Sequence, residues 1–212
     1  METARDTTLE TTDIETKKVD PAGDVIFLVQ NKMRVLVSSK ILSLASTVFA
    51  AMLGERFVEG QQLSVTSPPQ IELPEDDADT MWLMCRLLHH QVRVKEERSS
   101  SSLVRLAVLA YKYDCLQSLS PIIKSGVDRW EHLYKETIKE YGRDISWEMG
   151  ITFDRFIVSY LLQDISMFRK ASTKLVMCSE ESFLEFWDFP GLTVLPTITF
   201  RTWDPLSSQR VY

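Results

Sequence analysis

Cys85 and His89 stand four residues apart in a run of helical periodicity, with His90 directly after them. On a helix that spacing turns a thiolate and an imidazole to one face, where they could share a zinc ion. A structural zinc takes four protein ligands, and His132, Cys115 and Cys178 lie elsewhere without paired spacing. The set therefore reads as a buried thiol followed by helix-end histidines, and no metal site is assigned. A metal-dependent enzyme using these three residues stays as a rival, one that bound zinc in the purified protein would reveal. Glu75, Asp76, Asp77 and Asp79 concentrate acid without the glycine or the spacing of a calcium loop, so they read as favourable charges at the positive end of a helix. Ser99 to Ser102 offers hydroxyls to a kinase, but a linker closing in a helix N-cap accounts for it. Asp24 precedes an apolar run, so its carboxylate must find amide or cationic partners to offset its desolvation. It reads as a structural hydrogen-bond anchor, with an ion pair between subunits as the alternative.

No phosphate-cradling GxxxxGK[ST] or GxGxxG occurs, no GxSxG elbow occurs, and seven glycines give the backbone few places to approach a nucleotide. These absences count against an ATPase, a kinase or an α/β-hydrolase, and neither a catalytic residue nor a cofactor site is assigned.

The elements that must carry these residues follow from periodicity. The Thr- and Glu-rich residues 1–21 hold too little apolar surface to offset the entropy of ordering, so a disordered arm is expected there. Val25 to Val29 and Met33 to Val37 are two β-rich runs around the turn Gln30-Asn31-Lys32, which spells a hairpin. Ser38 and Ser39 stand at an N-cap before Ile41, Leu42, Leu44 and Ala45, and Ser46-Thr47 caps again before Val48, Phe49, Met52 and Leu53. Two abutting, largely buried helices are expected. Ile71 to Leu73 reads as a short strand, and a helix follows with Ala78, Met81, Trp82, Cys85 and Leu88 inward. Further helical stripes run through Leu103, Leu106, Ala107 and Ala110, then Leu119, Ile122, Ile123 and Val127. Beyond a charged helix over Glu131 to Tyr141 and a turn at Gly142, one amphipathic face carries Phe153, Phe156, Ile157, Tyr160 and Leu161. The next carries Ile165, Phe168, Leu175 and Val176, with Asp164 as the N-cap between them.

Composition bounds what this array can do. With 44% apolar residues, 212 residues can build a real core, and three widely spaced cysteines, Cys85, Cys115 and Cys178, read as reduced core thiols. The formal charge of −6, without clustered Lys and Arg, argues against direct nucleic-acid binding. Neither a signal peptide nor a membrane span is legible, so an intracellular protein of the cytoplasm or nucleus is expected, with no membrane partner.

Four blocks in order, Gly23-Asp24-Val25, VLVSSKILSLASTVFAAMLGERFVEGQ, IELPEDDADTMWLMCRLLHHQ and LAVLAYKYDC, resemble the BTB/POZ domain in the spelling of filamentous-fungal members. The resemblance covers about residues 23–130 and implies an α+β fold, a small sheet flanked by a helical cluster. The expected organisation is a disordered arm over 1–21, a BTB/POZ domain over 22–130, a C-terminal helical extension over 131–190 and an irregular tail over 191–212. It also gives a meaning to Phe57-Val58-Glu59, which matches the hydrophobic-x-Glu segment by which cullin-3-binding members contact the cullin. The implied function is a non-enzymatic protein-interaction module, a cullin-3 ubiquitin-ligase substrate adaptor. The alternative is a homodimeric scaffold or transcriptional co-factor, with Asp24, Ile41, Leu42 and Leu44 at the interface between copies. One departure stands out: Ser38-Ser39-Lys40 replaces the histidine that opens the first helix in metazoan members.

Overall fold

The computed structural model of the chain describes residues 14–91, 100–142 and 145–178. It is an α+β protein, mostly helical, with one small mixed sheet of four strands. The described residues form two compact units, one of 14–91 with 112–121, the other of 100–111 with 122–142 and 145–178.

The sheet belongs to the first unit. Strands β2 (Val25–Val29) and β3 (Met33–Val37) pair antiparallel in the register Val25↔Val37 to Val29↔Met33. Gln30 and Asn31 take positive φ, 51° and 53°, and close the hairpin that their polar types predict. Four of the five residues of each strand are buried, since both strands lie in the middle of the sheet order β1-β3-β2-β4. Strand β4 (Gln70–Leu73) runs parallel to β2 at one edge, and β1 (Thr16–Lys18) runs parallel to β3 at the other.

Strand β1 corrects the expected arm over residues 1–21. Its side chains are polar, and backbone pairing rather than apolar pattern holds it. The Val19 amide donates to Leu36 O at 2.9 Å, the Val19 side chain is wholly buried, and Lys17 Nζ lies 5.3 Å from the centre of the Trp82 ring. Residues 1–13 lie outside the described residues.

Helices α1 (Ser39–Ala45), α2 (Thr47–Met52), α3 (Val58–Gln61) and α4 (Ala78–Leu88) complete most of this unit. Asp77 is the N-cap of α4, its carboxylate accepting from the Thr80 amide at 2.9 Å. Asp76 does something else. It is buried and takes Lys112 Nζ at 2.6 Å and the Tyr113 hydroxyl at 2.5 Å, a paired charge inside the fold rather than a helix-end decoration.

Helix α5 (Ser100–Lys112) and helix α6 (Leu116–Tyr141) follow. The expected division between 130 and 131 is not where the units part. Ile123, Val127 and Tyr134 carry one buried stripe straight through it, and α6 ends only where Gly142, at φ +87°, donates its amide to Ile138 O. In the second unit α7 (Ile145–Leu161) buries Phe153, Phe156 and Ile157 as expected, while Tyr160 is exposed. Helix α8 (Ile165–Cys178) has Asp164 as its N-cap, accepting from the Met167 amide at 3.0 Å and pairing with Lys124 at 3.0 Å. Its buried face is Met167, Ala171 and Leu175, an i, i+4, i+8 stripe, so Ile165 and Val176 point outward against expectation. The tail over 191–212, and the expected extension from 179 to 190, lie outside the described residues. No described helix is long and apolar enough to cross a membrane.

Candidate functional site

Of the residues singled out in the sequence, Ile41, Leu42, Leu44 and Phe57 to Glu59 lie on the run from α1 to α3, and Asp24 and His89 contact its start. At its start, Asp24 receives the Ser39 amide on Oδ1 at 2.7 Å and the Ser39 hydroxyl on Oδ2 at 2.6 Å. The carboxylate thus ties the first turn of α1 to the strand it precedes, the anchoring role, and satisfies an amide that the helix leaves free. One residue earlier, the Ser38 amide donates to His89 Nε2 at 3.1 Å, while His89 Nδ1 meets Cys85 O at 2.8 Å. Only the neutral Nδ1–H tautomer satisfies both contacts. Burial holds the imidazole below its usual pKa of 6.5.

These contacts leave both nitrogens of His89 engaged, with Cys85 Sγ 3.9 Å from Met81 Sδ. Burial also raises the Cys85 thiol far above the thiol range and pushes Cys115 up to about 11, so both stay protonated at neutral pH. Among the described residues no three His, Cys, Asp or Glu side chains come together as a metal site.

Helix α1 turns about 100° per residue, so Leu42 and Leu44 face opposite ways. Leu42 is wholly buried in its own chain and Leu44 is 82% exposed, with Ile41 between these extremes. Leu42 is therefore a core residue of its own chain. Helix α2 is pinned more firmly: the Ser46 hydroxyl donates to Tyr113 O and accepts from the Phe49 amide at 2.9 Å. Phe49 then stacks on Tyr113 at 4.6 Å and on Phe27 at 5.6 Å between ring centres.

The segment after α2 forms a helical turn. Phe57 is the extended N-cap of α3 and Val58 its first residue, with Glu59 in the first turn, where its charge suits the helix end. A side chain at Gly60 would come within 2.0 Å of Gly54 O and 2.7 Å of the Leu53 carbonyl carbon. Only glycine lets α3 lie on that backbone. The Phe57 amide donates to Gly54 O at 3.1 Å and Gln61 Nε2 to Glu55 O at 2.9 Å, which closes the turn. On this seat Phe57 is 50% exposed and Val58 63%, beside an open depression lined by Ala50, Ala51, Gly54, Glu55 and Arg56. Among the described residues Glu59 has no hydrogen-bonded or ion-paired side-chain partner.

Phe57, Val58 and Glu59 are thus brought together at the surface, whereas Asp24 and Leu42 serve the interior. Gly60 and Tyr113 were missed by motif reasoning. The pair Gly54 and Gly60, flanking an aromatic-acidic run in a chain with seven glycines, was the legible signal for the close approach. In comparison with known proteins, the chain matches no family model, no curated protein and no solved structure.

Proposed function

We propose that the chain is a non-enzymatic protein-interaction module of the BTB/POZ type, acting inside the cell, in cytoplasm or nucleus. In this reading it docks on a cullin-3 through Phe57, Val58 and Glu59 as an adaptor in ubiquitin ligation. The observation that carries it is the seating of two large apolar side chains, half or more exposed, on a turn fixed by the contact of Gly60 with Gly54. Apolar side chains held outward on fixed backbone lose little entropy when a partner covers them, and the adjoining unpaired Glu59 supplies an orienting charge at the rim. The α+β element order, a hairpin followed by short helices, a parallel edge strand and longer helices, supports the family reading.

The test is sedimentation velocity of the full chain with the N-terminal domain of a fungal cullin-3. A faster boundary containing both proteins is expected, and Phe57→Ala or Glu59→Lys should each weaken it while leaving thermal melting nearly unchanged. Equal affinity in both variants would sink the docking role. A second reading, a homodimeric scaffold or transcriptional co-factor, is favoured by one observation, the outward Leu44 on α1 with Val48 partly exposed on α2. In the same experiment a chain that stays monomeric at high concentration removes it.

A further inference from the structure

We propose that the second unit holds a binding site for a small organic monoanion, a carboxylate on a flat apolar body, in a cavity walled by α5, α6, α7 and α8. The cavity measures about 250 Å³. A dry cavity of about 150 Å³ takes up a benzene ring, so this one has space for a ring and a short acid-bearing arm.

Its floor is made by Leu103, Val127, Val158 and Ala171, all buried, and the ring of Tyr134 supplies an aromatic wall. Charge decides what else fits. Lys135, Arg155, Lys170 and Lys174 line it against Glu131, Glu148 and Asp154, four cations to three anions, a formal excess of one positive charge. Glu131 pairs with both Arg155 and Lys135, and Glu148 pairs with Lys174 at 2.7 Å. Among the described residues Lys170 makes no ion pair. Among the described residues the buried Nε of Arg155 has no hydrogen-bond partner, although its Nη1 is held by Glu131. A guanidinium fixed at one end with a desolvated N–H left over is a preorganised donor. A carboxylate oxygen satisfies that donor and balances the excess charge in one step. A neutral body does neither as well, and an ammonium meets repulsion. This inference stands apart from the docking reading, whose residues lie in the other unit.

The full chain titrated with phenylacetate, followed by calorimetry and by saturation-transfer NMR, tests it. Saturable binding at or below about 1 mM is expected. Phenylacetamide, of the same shape without the charge, should bind about tenfold more weakly, and phenethylamine should not bind. Arg155→Lys keeps the charge but loses the Nε donor, and should weaken phenylacetate about tenfold. Lys170→Glu, at an exposed position that leaves the fold alone, should weaken it several-fold through about two units of local charge. Absence of saturable phenylacetate binding to the unaltered chain overturns the proposal, as does equal binding of the amide or wild-type affinity in both variants.

Discussion

His89 commits both ring nitrogens to the fold, accepting from the Ser38 amide and meeting Cys85 O. A second proton on the ring would sit on Nε2 and face the Ser38 N–H, so protonation and this contact exclude each other. Burial lowers the folded pKa first, opposed by the Cys85 contact and Asp20 and assisted by His90. The unfolded chain therefore takes up the proton more readily than the folded one. Stability is complete above the unfolded value of 6.5 and falls as pH drops below it toward the folded value. Melting curves between about pH 7.5 and pH 5.5 should show the unaltered chain losing more stability than His89→Gln across that window. A histidine at this spacing is legible as a helix-end residue, but its partner is not. Ser38 lies 51 positions away, and nothing in either local pattern joins them.

At the scale of elements, legibility follows how each element is held. The hairpin and the helices from Ala78 and Ser100 onward are written in apolar period, because burial of side chains holds them. Strand β1 is held by main-chain pairing and α3 by a glycine contact, so neither has an apolar period to read. The same distinction predicts mutational behaviour. Gly60→Ala would set a methyl group onto Gly54 backbone, which cannot yield as a flexible side chain could. It should cost about 1–3 kcal/mol by denaturant titration and displace Phe57, so that the docking proposed for Phe57 to Glu59 should weaken although no surface side chain has changed. Gly54→Ala is a milder test, since the nearest atom to its added carbon is Ala50 O at 2.9 Å.

Across the whole molecule, the first unit closes only when a distant piece of chain returns to it. Tyr113 caps the Phe27-Phe49 stack, its hydroxyl donates to Asp76 while Lys112 neutralises that carboxylate, and its carbonyl takes the Ser46 hydroxyl. Phe49→Ala should therefore cost about 3–5 kcal/mol, against about 0.5 kcal/mol or less for the half-exposed Phe57→Ala, in the same unfolding experiment. The consequence reaches back to how the protein is made. Strands, short helices and α4 are all synthesised by Leu88, yet Asp76 still lacks its cation and Phe49 its covering ring. At about 5–20 residues per second, the 23 residues from Gln91 to Tyr113 keep the ribosome occupied for roughly 1–5 s. Until that segment is added and emerges, Phe49 has no ring to cover it and Asp76 no cation, the moment at which a chaperone has something to hold.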